Sequence, residues 1–165
     1  MRGALDFIFP VQCGRCDQLG NGFCASCYAQ CELQQISAGG IAVRGLGLYA
    51  GTLRRAILNM KDGRRDVAEA LACCFSRLVE DGDVLVPVPT TFVRRLQRGF
   101  DGAEVLAMCA SANRATRVDA EALAGRTVVL VDDVLTTGVT VTDCAATIAA
   151  AGGLVKRTVV LAVNP

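Results

Sequence analysis

The stretch that decides the fold is VVLVDDVLTTGVT, residues 128–140. Four apolar residues run into Asp132 and Asp133, and a threonine–glycine turn then opens a segment of helical character. A short apolar run closed by turn residues and followed by a helix reads as a buried strand feeding a crossover helix. Such a strand gains no stability by ending on two adjacent carboxylates, which repel each other and need water or donors. The paired hydroxyls of a sugar, or a hydrated magnesium ion, would satisfy them. The segment Thr136-Thr137-Gly138-Val139-Thr140 adds backbone N–H groups, hydroxyl donors and a glycine that permits close approach. It stands at a helix N-terminus, where the dipole favours anions. A ligand with ribose beside phosphate fits both halves. Helix capping alone would need one hydroxyl and no acidic pair.

Working outward, strand and helix patterns alternate. IAVRGLGLY (41–49) predicts a strand, and GTLRRAILNMKDG predicts a helix carrying Leu53, Ile57, Leu58 and Met60, stopped near Gly63. RRDVAEALACCFSRLVEDG predicts a second helix, with Val67, Leu71, Cys74, Phe75 and Leu78 on one face. DVLVPVP (83–89) is a short strand stiffened by Pro87 and Pro89, followed by the loop TTFVRRLQRG and the helix FDGAEVLAMCASA. RTVVLVDD, GVTVTDCAATIAAAGG and LVKRTVVLAV complete the pattern as strand, helix and strand. The expected fold is α/β, a mostly parallel sheet flanked by helices. In such sheets ligands bind beyond the C-terminal strand ends, where the loops after Val86 and Val131 both fall. QQISAGG (34–40) reads as a linker between this part, 41–165, and an N-terminal module, 1–35.

With 165 residues, 52% of them hydrophobic and 20% charged, the chain suits one core plus a small appendage and excludes disorder. Lys plus Arg number 17 against 16 Asp plus Glu, so no global field points to nucleic acid or membrane. No run reaches the ~18 apolar residues of a membrane span. MRGALDFIFPV lacks a small-residue cleavage site and reads as mature sequence, so the expected compartment is the cytoplasm. There, nine cysteines point to metal or buried thiols rather than disulfides. CGRCDQLGNGFCASC pairs Cys13 with Cys16 and Cys24 with Cys27, a spacing suited to one structural zinc ion held by four thiolates. Four free thiols and an iron–sulfur ligand set are the alternatives at this level. Cys31 is a spare, and Cys73, Cys74, Cys109 and Cys144 are expected as small buried hydrophobes.

The run 128–140 resembles, position for position, the signature of type I phosphoribosyltransferases, which bind 5-phosphoribosyl-1-pyrophosphate (PRPP) with Mg2+. The resemblance implies Asp132 and Asp133 as ribose ligands and Thr136 to Thr140 as the 5′-phosphate loop. A cysteine knuckle ahead of such a domain is similar to the ComF family, which includes GntX-like proteins. YAGTLRRAILNMKDG and LVPVPTTFVRRLQRGFDGAEVLA resemble two further blocks of that family. Arg94, Arg95 and above all Arg98 would then meet the pyrophosphate, with Lys61 a second candidate. The family carries a longer segment between the Arg-Gly-Phe helix and the acidic strand, holding a strand and a flexible loop that covers PRPP. Here MCASANRATRVDAEALAG replaces it, shortened between about 108 and 126, with Asn113 and Arg114 as remnants. The resemblance thus implies an intact ligand seat with a reduced cover, and leaves transfer to an acceptor open. It also brings a reading from another class, a catalytically inactive accessory of natural competence that meets single-stranded DNA and competence-machinery proteins. Arg44, Arg54, Arg55, Lys61, Arg64 and Arg65, against Asp62 and Asp66, form the basic cluster on which that reading rests. Scarce aromatic residues offer few stacking platforms for bases.

Overall fold

The computed structural model describes residues 10–80, 84–89, 99–110 and 123–164. A four-residue helix α1 (Ala25–Tyr28) closes the cysteine-rich segment. The chain then runs through β1 (Gln34–Ala38), β2 (Ile41–Leu48), α2 (Gly51–Lys61), α3 (Arg65–Phe75) and a short 3-10 turn, Ser76–Leu78. β3 (Val84–Pro87), α4 (Gly102–Ala110), β4 (Thr127–Leu135), α5 (Val139–Ala150) and β5 (Leu154–Val163) follow. The strands form one sheet in the order β1-β2-β5-β4-β3. β2, β5, β4 and β3 are parallel, and β1 pairs antiparallel with β2. The α/β fold with a mostly parallel sheet is as the sequence pattern predicts.

The expected linker 34–40 is instead β1 and a turn. Gly39 and Gly40 both have positive φ, 58° and 80°, the backbone of a two-residue hairpin turn. Ala38 pairs with Ile41 across it. Alternation in QQISA is weak because this edge strand buries little, so the double glycine was the readable signal.

Each face of the sheet has its own core. Val129, Val131, Val159 and Leu161 pack with α2, α3 and α4 through Leu53, Ile57, Leu71, Phe75 and Leu106. On the other face Val128, Leu130 and Val160 pack with Val141 and Ile148 of α5. Neighbouring strand residues project to opposite faces, which is why the near-continuous apolar runs of β4 and β5 serve both cores. Leu58, expected on the apolar face of α2, is only half-buried, and Ala56 is buried in its place. Cys73 and Cys109 are exposed, and Cys74 and Cys144 half-buried, contrary to the expected burial of all four. In α3, Leu71, Ala72 and Phe75 already fill the inward stripe, turning Cys73 outward. Among the described residues no helix is long and apolar enough to cross a membrane.

Candidate functional site

β4 carries its pairing past the two aspartates. Asp132 stands opposite Val160, Val134 opposite Ala162 and Leu135 opposite Val163. The sequence placed the strand end at Asp133; the structure extends it to Leu135, because Val134 and Leu135 find apolar partners on β5. The acidic pair therefore sits within the last paired residues of the strand, at the C-terminal sheet edge where ligand crevices open in parallel α/β folds. The two carboxylates have different surroundings. Asp133 Oδ2 lies 3.2 Å from Lys61 Nζ, the last residue of α2. Asp132 Oδ1 accepts the Asp133 backbone N–H at 2.7 Å. Burial, and next the charge of Asp133, push the Asp132 carboxyl up to about 7, against the opposing pull of the Asp133 N–H and Lys61. Asp101 adds to that repulsion while capping α4, where its Oδ1 accepts N–H bonds from Ala103 and Glu104. An aspartate just before a helical run is a readable cap signal, yet its place beside Asp132 comes only from the fold.

Beyond Leu135, Thr136 and Thr137 are exposed, Gly138 is buried, and Val139 and Thr140 are exposed as α5 begins. Gly138 is the N-cap of α5, with φ 77° in the left-handed region and no side chain capping the first turn. An added Cβ there would stand 2.9 Å from Cβ of Ala38, so the residue must be glycine on two counts. The hairpin β1–β2 thus backs the loop. Gly39 also presses on α5, since any Cβ on it would collide with the Thr142 methyl group. Thr142 turns its hydroxyl inward to the Val139 carbonyl at 2.7 Å, leaving the first-turn N–H groups facing out beside three exposed threonine side chains. Such an end is suited to an anion. A cavity of about 260 Å³ opens on the same edge of the sheet, between Gln30–Glu32 and the turn from β2 into α2.

A comparison with protein families matches residues 40–165 to the phosphoribosyl transferase domain. The chain belongs to that family. A search of curated proteins returned no match. Within the phosphoribosyl transferase domain, the structure brings Asp132, Asp133, Lys61 and the 136–140 loop to one edge of the sheet. Arg94, Arg95 and Arg98, and the remnant Asn113 and Arg114, lie outside the described residues.

Cys13, Cys16, Cys24 and Cys27 converge, their four sulfur atoms all within 4.8 Å of one another. Cys13 and Cys27 Sγ stand 3.7 Å apart, and Cys16 and Cys24 Sγ 3.6 Å. Four thiolates bound tetrahedrally to one zinc ion at about 2.3 Å would be about 3.8 Å apart, so the cluster fits such an ion. The Cys24 N–H points at Cys13 Sγ at 3.4 Å. Burial raises the Cys13 thiol, but backbone N–H groups from Cys16, Cys24 and Arg15 outweigh it and leave it at about 6. A thiol lowered in this way is more readily available to a metal ion as its thiolate. Cys31, the spare, lies outside the cluster and sends its Sγ toward the Cys27 carbonyl at 3.7 Å.

The basic cluster is largely neutralised in place. Arg44 pairs with Glu80, Arg55 with Asp17, Lys61 with Asp133, Arg64 with Asp66 and Arg65 with Glu69. Arg54 lies over the Tyr49 ring at 5.8 Å.

Proposed function

We propose that this protein is a ComF-type phosphoribosyltransferase-like protein that binds PRPP with Mg2+. One observation carries the reading: a half-buried carboxylate pair leads within five residues into an uncapped, glycine-opened helix N-terminus lined by exposed threonines. That sequence of groups matches a ribose followed by its 5′-phosphate. Asp132 and Asp133 receive the 2′- and 3′-hydroxyls, and Thr136, Thr137, Gly138, Val139 and Thr140 receive the phosphate. Lys61, with Arg94, Arg95 and Arg98, supplies positive charge for the pyrophosphate, and Mg2+ shares that charge. The cluster of Cys13, Cys16, Cys24 and Cys27, suited to one zinc ion, supports the ComF reading over other phosphoribosyltransferases. With all four ligands from the protein, its role is structural.

Isothermal titration of the zinc-loaded protein with PRPP and Mg2+ tests this. Saturable binding is expected, and Asp133→Asn should weaken it at least tenfold while the thermal melt stays within a few degrees. A folded protein that binds no PRPP overturns the reading. Release of pyrophosphate in the presence of candidate amines and bases then reports whether transfer occurs. The competence-linked reading, contact with single-stranded DNA, has weaker support. Five of its six basic residues already hold carboxylate partners, and a binding constant that does not fall with salt would end it.

A further inference from the structure

The last turn of α2 touches two distant parts of the molecule at once. Asn59 Nδ2–H donates to the Gly14 carbonyl, inside the Cys13–Cys16 turn, at 2.8 Å, and also to the Arg55 carbonyl one turn back at 3.1 Å. Two residues later Lys61 Nζ meets Asp133 at 3.2 Å. The bend after Lys61 is folded around the same asparagine, whose own carbonyl accepts the Arg64 N–H at 3.2 Å. Arg64 then reaches back, giving its guanidinium to the Gln12 carbonyl and to Asp66.

This corner fits the cysteine cluster closely. A Cβ on Gly14 would stand 2.9 Å from Cγ1 of Val67, and one on Gly22 would collide with the Asp66 carbonyl. The two glycines of the knuckle thus lie directly against α3, and Asn59 fastens the first metal-ligand turn to α2. Packed interfaces of this kind switch between discrete arrangements rather than stretching. A loosened Cys13–Cys16 turn would withdraw the Gly14 carbonyl from Asn59 and let the end of α2 fray, taking Lys61 from Asp133.

We infer that Asn59 is a positioning residue that couples the metal state of the four-cysteine cluster to the acidic ligand site through the last turn of α2. The coupling to PRPP rests on the function proposed above; the coupling to Lys61 does not. Linkage requires that if the metal tightens PRPP binding, PRPP slows metal loss by the same thermodynamic factor. The size expected is about fivefold to twentyfold, at the lower end of typical coupling between sites.

The test uses the full zinc-loaded chain. Zinc extraction by a chromogenic chelator is followed with and without saturating PRPP and Mg2+, in the wild type and in Asn59→Ala. PRPP should slow extraction several-fold from the wild type and have little effect on the variant, from which zinc should leave faster. Hydrogen exchange provides an arm free of PRPP: the amides at 57–61 should exchange faster in Asn59→Ala than in the wild type, with the β4 and β5 amides unchanged. A wild type that binds PRPP yet loses zinc at the same rate with and without it overturns the coupling and leaves the proposed function standing. A zinc-loaded wild type that binds no PRPP overturns the function; unchanged exchange at 57–61 in the variant then overturns the Asn59 tie as well. If Asn59→Ala does not fold, the wild-type extraction rates decide alone.

Discussion

Asp132 holds its proton near neutral pH, and this sets two pH dependences of opposite sense. Its carboxyl lies at about 7 in the folded chain, raised from 3.8 by burial and then by Asp133. Between those values the folded protein keeps a proton that the unfolded chain has released. Its favourable contribution is therefore complete in acid and is lost as pH rises through the window from about 4 to about 7. Asp132→Asn removes the cost of the charge and should stabilise the protein at pH 8 by on the order of 1–3 kcal/mol, with little effect at pH 4, read from denaturant midpoints. Ligand binding runs the other way. A ribose hydroxyl donates to a carboxylate, so PRPP affinity should rise between pH 6 and pH 8 by up to about tenfold in the wild type. A flat affinity profile over that range would show that Asp132 is not a ribose ligand. Asp133 has a cationic neighbour instead, Lys61 Nζ at 3.2 Å.

Between elements, the decisive contact is the one the β1–β2 hairpin makes with the start of α5. Ala38 stands behind Gly138, and Gly39 stands against Thr142. The 136–140 loop is thus wedged between its own helix and a strand from the far edge of the sheet. Gly138→Ala places a methyl group in the left-handed region, at about 1–2 kcal/mol, and against Ala38 as well. Urea unfolding should show a loss of about 2 kcal/mol, and PRPP affinity should fall far more than stability, because the loop must open to admit the methyl group. Equal affinity in the variant would mean that the loop conformation is immaterial to binding.

Taken whole, the molecule does not separate its cysteine cluster from its main core. Cys13 and Cys27 are fully buried and belong with Leu53, Ile57, Val67 and Phe75 to one apolar cluster. Arg55 and Asp17 close the contact from outside at 3.0 Å. Loss of a metal ion from the cluster would therefore do more than melt an appendage. Chelation, or Cys27→Ser, should lower the melting temperature of the entire chain by about 10 °C or more while unfolding remains a single transition. Two separate transitions, with the second at the wild-type temperature, would show that the knuckle folds independently. At the opposite end of the sheet, Glu80 gathers Arg44, Lys156 and Arg157. Hydrogen bonds from Lys156 and Arg44, with the charge of Arg157, hold its carboxyl at about 2. This ties the starts of β2 and β5, at the end of the sheet opposite Asp132 and Asp133.

What depends on local pattern and motif chemistry was legible in the chain before it folds. The alternation of apolar runs with helical periods specified four parallel strands and their helices, since burial on both faces of a strand demands a continuous apolar run. The acidic turn, Gly138 and the two cysteine pairs were legible because their chemistry requires fixed residue types at short spacing. Tertiary structure alone decided what depends on long-range contact. β1 became a strand because Gly39 and Gly40 reverse the chain onto β2, although QQISA has no strong pattern of its own. Cys73 turned outward because its neighbours filled the inward face first. Lys61 reached Asp133, and Asn59 reached Gly14, across separations of tens of residues. Spacing in sequence carries no record of such pairs: only close packing of α2 and α3 on the sheet fixes which side chains can meet.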